Sequence, residues 1–304
     1  MGAACITVGL FVRRFFKIRE SLERWRKLVL ACGLATHPPS FFRVAITGVT
    51  TGIGHELVRL LRPFPSVEII TCGRSLNSPE DIYVDLSDRL SVSNCATKLG
   101  RRWYEEKPVN PFGQDIFINN AGVFTSMNAS LVWRTNLWAS VSLTESVADS
   151  FANSNTSRAL RFVQLGSRLE SESLLSIDNV ESLYKSKIGA SSYSDTKRGL
   201  LEHTCYMSTK YEKNKGLSFC VVTPGMVNTE LGKKSAGSIL WYLSWPLRYM
   251  FTRHSIEGAV TVLWAALGCT DNGVYLGDHK ILERISHTRN MHVGEKLSSI
   301  SWSY

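Results

Sequence analysis

The sequence predicts an α/β fold with a doubly wound parallel sheet in a single domain, preceded by an amphipathic helix at the N-terminus. Three observations support this prediction. Five short apolar runs are typical of buried strands, helical segments separate them, and the first run leads through a glycine-rich turn into a helix. Strands that alternate with helices in this way form parallel sheets that are covered on both faces.

The predicted strands follow one another along most of the chain. The first begins at residue 43, and the others span residues 66–73, 115–122, 160–167 and 217–225. A chain of 304 residues without internal repeats is long enough to bury the core of one large domain. We predict a basic amphipathic segment at 1–41, the domain at 42–282 and a polar C-terminal tail at 283–304.

The N-terminal segment carries most of the positive charge. Residues 1–43 contain eight Lys or Arg and two Glu, which is +6 of the net charge of +9. Apolar side chains recur there at three- and four-residue steps, with basic residues between them, as in a helix that lies in a membrane interface. A helix packed on the protein's own surface is the alternative. The apolar positions are Phe11, Phe15, Ile18, Leu22, Trp25 and Val29.

The same segment sets the expected location and partners. Its first apolar run, residues 3–12, is shorter than the roughly 20 residues that cross a bilayer. The charge is not interleaved with aromatic residues across a folded face, so no nucleic acid partner is expected. We expect a membrane-associated, cytosol-facing protein, at the endoplasmic reticulum or a lipid droplet, with a cytoplasmic location as the alternative. Homodimerisation is left open.

A dinucleotide-binding turn is predicted where the first strand of the domain meets its first helix. Gly48, Gly52 and Gly54 permit a tight turn and let backbone N–H groups approach a pyrophosphate, which the helix N-terminus also attracts. The second strand ends in ITCGRS, without a carboxylate for the ribose 2′-hydroxyl. Because Arg74 is placed to pair with a 2′-phosphate, NADP is favoured over NAD; an ordinary exposed loop charge is the alternative interpretation.

Four motifs, in this order and spacing, resemble the short-chain dehydrogenase/reductase family. They are TGVTTGIG at 47–54, NNAG at 119–122, a Tyr-x3-Lys pair and PGMVNT at 224–229. The similarity covers roughly residues 42–280 and implies a Rossmann-type sheet and hydride transfer with a nicotinamide cofactor. With Arg74, the cofactor-binding residues that follow are Thr47, Gly48, Thr50, Thr51, Gly52, Ile53, Gly54, Asp85, Asn119, Gly122, Tyr193, Lys197, Pro224, Gly225, Val227 and Thr229.

The sequence contains three Tyr-x3-Lys pairs, in SYSDTK, YMSTK and YEKNK. Their helix must begin at the carboxyl edge of the sheet, where ligands bind, and run back towards the other edge. At 1.5 Å per residue, Tyr206 would lie about 20 Å and Tyr211 about 27 Å along the helix from Tyr193. We therefore predict Tyr193 and Lys197 as the catalytic pair.

The family resemblance also implies a role for each catalytic residue. Tyr193 would exchange a proton with the reacting oxygen, while Lys197 would bind the nicotinamide ribose and favour the phenolate. Ser167, at the end of a strand, would hydrogen-bond the substrate oxygen. Asn136, in WRTNLW, would hold a water in the proton relay.

The substrate is expected to be lipophilic. The gap of 26 residues between Ser167 and Tyr193, and the pattern GVYLGDHK, resemble the retinol dehydrogenase-like branch of the family. An aromatic insert at 238–251 occupies the position of the family's substrate lid. These features imply a retinoid, steroid or lipid aldehyde, and a catalytically idle NADP(H)-binding scaffold or membrane-associated partner protein is the alternative. No Cys/His cluster has the spacing of metal ligands, so no metal is predicted.

Overall fold

The computed structural model describes residues 2–35, 41–76, 78–105, 113–125, 128–185, 192–214, 216–227, 252–289 and 291–300. Strands in these ranges form one eight-stranded sheet. They are β1 (Phe42–Thr47), β2 (Val67–Gly73), β3 (Ile82–Tyr83), β4 (Gln114–Asn119), β5 (Ala159–Leu165), β6 (Leu217–Thr223), β7 (Val274–Gly277) and β8 (Lys280–Glu283). Their spatial order is β3-β2-β1-β4-β5-β6-β7-β8, with parallel pairing from β3 to β7 and an antiparallel β8.

Helices cover both faces of this sheet, which confirms the predicted α/β fold. Side chains alternate along the strands, so Val44 and Ile46 of β1 belong to one apolar core and Ala45 to the other. The described helices are α1 (Gly2–Ala31), α2 (Gly52–Leu61), α3 (Arg89–Gly100), α4 (Ala129–Trp133), α5 (Ala139–Ala152), α6 (Val180–Lys185), α7 (Ser192–Lys210), α8 (Ser255–Leu263), α9 (Ile285–Thr288) and α10 (Met291–Ser299).

The order of the strands places a crevice at the carboxyl edge of the sheet. From β1 the chain proceeds outward to β2 and β3, then returns to β4 on the other side of β1 and continues towards β7. After β1 the chain passes to α2 on one face of the sheet, and after β4 it passes to α5 on the other face. Ligands of open α/β sheets bind at such a switch point.

The N-terminal helix α1 divides into two parts with different surroundings. In its second half, Trp25, Leu28 and Val29 are buried in the core that also contains α2 and α8. In its first half, Phe15 and Phe16 leave 63% and 57% of their surface exposed. The predicted apolar stripe is thus split between contact with the domain and exposure, and no helix in the described ranges is long and apolar enough to cross a membrane.

The C-terminal region differs from the predicted polar tail. Residues 285–288 form α9 and residues 291–299 form α10, which packs along α7. A Cβ on Gly294 would come within 2.3 Å of the Glu202 carbonyl oxygen, so the two helices approach closely. Leu297 of α10 is fully buried in the neighbouring apolar core, and this contact explains why the polar sequence is ordered.

A buried ion cluster joins three strands at the amino edge of the sheet. Arg43 of β1 binds Asp115 of β4 through two hydrogen bonds of 2.7 and 2.5 Å. Arg158, just before β5, donates to the same carboxylate at 2.7 Å. All three side chains are almost completely buried, so the Asp115 carboxylate offsets the desolvation of both guanidinium groups.

We expect Asp115→Asn to lower the free energy of unfolding by about 3–5 kcal/mol, because it removes the buried negative charge to which Arg43 and Arg158 both donate. Urea denaturation followed by circular dichroism measures this change. Glu68→Gln is the control, since Glu68 pairs with Arg102 at 2.9 Å on the surface and its loss should cost no more than about 1 kcal/mol. Equal stability of the two variants would contradict the expectation.

Candidate active site

The turn between β1 and α2 has the geometry of a phosphate-binding loop. Gly48 and Gly52 adopt φ angles of 70° and 63°, which favour glycine. A Cβ on Gly54 would lie 2.1 Å from the Gly48 carbonyl oxygen. Thr50 and Thr51 are exposed, and the N-cap Thr51 makes no side-chain hydrogen bond to the first turn of α2. The N-terminus of α2 is therefore open to an anion, which fits the pyrophosphate of a dinucleotide.

Residues of the NNAG motif form hydrogen bonds with the start of this turn. The amides of Asn120 and Ala121 donate to the Thr47 hydroxyl at 3.1 and 3.0 Å. The Asn120 side chain donates to the carbonyl oxygens of Thr47 and Gly48 at 2.9 and 2.7 Å. Thr47 is thus a buried residue whose hydroxyl connects the glycine-rich turn to the loop after β4.

Asn119 occupies the end of β4 and points into the core. It is 3% exposed and donates to the Thr144 hydroxyl at 3.1 Å. Gln164 of β5 donates to the same hydroxyl at 2.7 Å. In this structure Asn119 links the sheet to α5. The family resemblance instead implies that Asn119 contacts the cofactor.

The end of β2 offers space for the adenosine part of a dinucleotide. A Cβ on Gly73 would meet no atom within 4 Å among the described residues. Arg74 follows it and is exposed. Hydrogen bonds from the Ser87 hydroxyl and amide, and then the charge of Arg74, lower the pKa of Asp85 despite its partial burial. Arg74 and Asp85 therefore share one electrostatic environment on this side of the crevice.

Tyr193, Lys197 and Ser167 come together where β5 ends and α7 begins. Lys197 Nζ donates to the Leu165 carbonyl oxygen at 2.6 Å. It lies 5.6 Å from the centre of the Tyr193 ring. The Ser167 side chain lies close enough to Tyr193 to act on the pKa of its hydroxyl, and the ring of Phe124 packs edge-on against that of Tyr193, with ring centres 5.1 Å apart.

Burial shifts the pKa values of this pair in opposite directions. Desolvation raises the pKa of Tyr193 to about 12, although the hydrogen bond to Ser167 acts the other way. Desolvation lowers the pKa of Lys197 to about 8. Near neutral pH the tyrosine is protonated and the lysine is mostly charged, and that charge is lost as the pH rises through about 8. This state suits proton donation by Tyr193 beside a cation.

Asn136 lies in a π-helical turn, Arg134–Trp138, which connects α4 to α5. Its side chain donates to the Val123 carbonyl oxygen at 2.8 Å and accepts from the Val123 amide at 2.7 Å. A Cβ on Gly122 would be 3.5 Å from Asn136 Oδ1 and 3.9 Å from Lys197 Nζ. The side chain of Asn136 therefore fixes the loop after β4 against the catalytic pair.

The loop after β6 closes the opposite side of the crevice. Gly225 adopts a φ of 81° after Pro224. A Cβ on Gly258 of α8 would come within 2.9 Å of Val227 and 3.2 Å of Ile53. Val227 therefore lies next to Ile53, at the N-terminus of α2. Thr229 and the aromatic insert at 238–251 lie outside the described residues.

The other two Tyr-x3-Lys pairs have structural surroundings. Lys210 lies 5.9 Å from the ring of Tyr206 and 5.1 Å from that of Tyr211. The Tyr211 hydroxyl donates to Asp149 of α5. These side chains pack at the far end of α7, as the length of the helix predicts.

Solved structures similar to this chain are dehydrogenases and reductases. A 3-alpha-hydroxysteroid dehydrogenase from a Pseudomonas species, solved with NADH, matches with a TM-score of 0.61 and 20% identity over 78% of this chain and 94% of its own. An NADPH-bound carbonyl reductase from chicken fatty liver matches with a TM-score of 0.57 and 17% identity over 80% of this chain and 99% of its own. A ligand-free aldohexose dehydrogenase from Thermoplasma acidophilum matches with a TM-score of 0.56 and 14% identity over 87% of this chain and 98% of its own.

The chain shares the Rossmann-like α/β fold of these structures and of a short chain dehydrogenase family protein from Francisella tularensis. At these identities, the likeness concerns the fold and not the substrate. The neighbours include structures with NADH and structures with NADP, so the cofactor preference of this chain is a separate question. No protein-family model matches the sequence, and no curated protein matches it significantly.

Two residues support the site without having stood out in the sequence. One is Asn120, which hydrogen-bonds the glycine-rich turn. The sequence alone does not show which of the adjacent residues Asn119 and Asn120 faces that turn. The other is Asp195, which is buried in the first turn of α7 and accepts from the Ser173 hydroxyl at 2.8 Å and the Leu174 amide at 3.1 Å. It holds the loop after β5 against the catalytic helix.

Proposed function

We propose that this protein is an NADP(H)-dependent oxidoreductase that interconverts a lipophilic alcohol and its carbonyl, such as a retinoid, a steroid or a lipid aldehyde. The observation that carries the proposal is the cluster of Tyr193, Lys197 and Ser167 at the carboxyl edge of the sheet. It lies on the same edge as a glycine-rich turn that fits a dinucleotide. A proton donor, a cation and a place for a hydride-carrying cofactor are the requirements of carbonyl reduction.

In the reducing direction, the Tyr193 hydroxyl donates its proton to the carbonyl oxygen of the substrate. The glycine-rich turn, Gly48 to Gly54, would hold NADPH, which would supply the hydride when bound. Ser167, which lies close to Tyr193, is placed to donate to the same oxygen. The Lys197 ammonium stabilises the phenolate that proton donation leaves behind, since the two groups share a desolvated site.

Apolar side chains at the rim of the site support a lipophilic substrate. Leu174 is 69% exposed in the loop after β5, and Met226 is 70% exposed in the loop after β6. Leu169 and Ile177 are also exposed in the first of these loops. Because these loops follow the strand ends that bear Ser167 and Pro224, an apolar ligand entering between them would cover these side chains.

We expect Tyr193→Phe to lower kcat by about 10²- to 10⁴-fold, since it removes only the proton donor. Its affinity for NADPH should stay within about twofold, because Lys197 and the glycine-rich turn are unchanged. The measurement is NADPH consumption with a panel of retinoid, steroid and aliphatic carbonyls, together with NADPH fluorescence titration.

Tyr206→Phe is the matched control, because Tyr206 has the same spacing from a lysine on the same helix and should keep full activity. If Tyr193→Phe is as active as the wild type, the catalytic assignment is wrong. If the wild type binds NADPH and turns over none of the carbonyls, the alternative of a catalytically idle scaffold replaces the proposal.

The preference for NADP rests on Arg74, an exposed cation at the end of β2 beside the open space over Gly73. We expect Arg74→Ala to weaken NADPH binding by about 10- to 100-fold, the usual worth of a charged hydrogen bond, with NADH affinity changed less than about twofold. Arg62→Ala is the control, since Arg62 is an exposed cation at the end of α2. Equal weakening of both cofactors would remove Arg74 from the 2′-phosphate site.

A membrane surface is the proposed partner of the first half of α1. Phe15 and Phe16 are exposed there among basic residues, a combination that suits an anionic lipid surface. Burial, and then the charge of Arg14, lower the pKa of His254, which caps the start of α8. Arg14 therefore lies near the start of α8.

We expect the full chain to sediment with vesicles that contain phosphatidylserine and the double variant Phe15→Ser, Phe16→Ser to stay in the supernatant, because the variant loses its apolar contact with lipid. Leu30→Ser is the control, since Leu30 is 67% exposed on the other half of the same helix. Identical sedimentation of all three proteins would contradict membrane binding through α1.

A further inference from the structure

The turn between β7 and β8 has a backbone conformation that its residues disfavour. Asp278 and His279 have φ angles of 50° and 60° and form the two-residue connection between Gly277 and Lys280. Such turns usually contain glycine, because a side chain is strained in the left-handed region. Neither residue here is glycine, so contacts elsewhere must hold this turn, and strained residues of this kind cluster at functional sites.

His279 anchors the turn to the helices on one face of the sheet. Its Nδ1 lies 3.1 Å from Arg24 Nη1 of α1, and its ring is 5.7 Å from that of Trp264, which follows α8. Burial, followed by the charge of Arg24, lowers the pKa of His279 to about 4. The ring is therefore neutral, and Nδ1 is able to accept the hydrogen bond from Arg24.

Asp278, the other residue of the turn, binds two cations that belong to different loops. One carboxylate oxygen binds Arg168 at 3.2 Å, and the other binds Arg253. Partial burial acts to raise the pKa of Asp278, but the hydrogen bond and charge of Arg253, with the charge of Arg168, lower it below its ordinary range. The carboxylate is ionised near neutral pH and attracts both guanidinium groups.

Each cation belongs to, or contacts, a segment that follows a strand at the carboxyl edge of the sheet. Arg168 directly follows Ser167 and begins a 3₁₀-helical turn that extends to Glu172. Arg253 covers the loop after β6: its Nη1 lies 3.5 Å from the Pro224 carbonyl oxygen, and its backbone amide donates to Met226 at 2.7 Å. A Cβ on Gly225 would come within 2.9 Å of the Arg253 side chain.

We propose that Asp278 is a positioning residue, which fixes the segments 167–172 and 224–227 relative to each other and so sets the width of the substrate site between them. It acts through Arg168 and Arg253 and does not touch the reacting atoms. The proposal rests on the oxidoreductase function proposed above, because it assigns these segments to the walls of that site. The charge of Asp278 is the property that matters, since a neutral side chain cannot attract two guanidinium groups at once.

The test is Asp278→Asn in the full chain, which keeps the size of the side chain and removes its charge. We expect the KM for the carbonyl to rise about tenfold, with kcat changed less than about threefold, because Tyr193, Lys197 and Ser167 are untouched. The melting temperature should fall by no more than about 3 °C, since the ion pairs are partly exposed. Arg253→Lys keeps a cation opposite Asp278 and should retain most of the affinity for the substrate.

Asp271→Asn is the matched control, because Asp271 pairs with Arg284 at 3.7 Å near the opposite end of the same hairpin, on the surface. An unchanged KM in Asp278→Asn, or an equal rise in Asp271→Asn, overturns the proposal. A change in kcat alone also overturns it, because loosened walls act on substrate binding.

Hydrogen exchange followed by mass spectrometry separates this proposal from the proposed function. Faster exchange confined to residues 167–172 and 224–227 in Asp278→Asn, and absent in Asp271→Asn, is the expected result. If the wild type reduces no carbonyl, the proposed function fails, and the exchange of these segments still decides whether Asp278 holds them. Unchanged exchange, or faster exchange throughout the domain, overturns the positioning role.

Discussion

The hydrogen bond from the Lys197 ammonium to the Leu165 carbonyl oxygen, 2.6 Å long, determines the arrangement of the candidate site. It joins the last residue of β5 to the first turns of α7 inside the protein, where a cation is stable only with a close acceptor. Because Tyr193 is one helical turn before Lys197, the same bond fixes the phenol relative to Ser167. A shift of α7 would separate all three side chains at once.

Two close backbone approaches complete the site on its other sides. Gly48 lies so near Ala121 that a Cβ would come within 2.7 Å of its Cα, and this contact brings the loops after β1 and β4 together. Asn120 satisfies the carbonyl groups of the glycine-rich turn from beneath, leaving the N-terminus of α2 open for an anion. At the opposite edge, the buried carboxylate of Asp115 holds β1, β4 and the start of β5 in register. The crevice is therefore a consequence of constraints at both ends of the same strands.

The sequence was sufficient to predict the sheet and the glycine-rich turn, because both depend on local pattern. The assignment of Tyr193 among three equivalent spacings stays a prediction, which rests on helix length and on the position of Tyr193 in the first turn of α7. The sequence was insufficient where a contact joins distant parts of the chain. Arg168 and Asp278 are 110 residues apart, and no local pattern relates them. The polar sequence of α10 resembles a tail until Leu297 is seen to be buried, and Thr47 resembles a cofactor ligand until the amides of Asn120 and Ala121 are found on its hydroxyl.

The most direct test of the central claim is the transfer of deuterium from NADPH labelled at C4 of the nicotinamide to a lipophilic carbonyl, measured by mass spectrometry of the alcohol. The account predicts that one face of the labelled cofactor delivers a single deuterium to the carbinol carbon, and that the product disappears in Tyr193→Phe. An alcohol without deuterium, or equal labelling in the Tyr193→Phe variant, would contradict the assignment of this cluster as a hydride-transfer site.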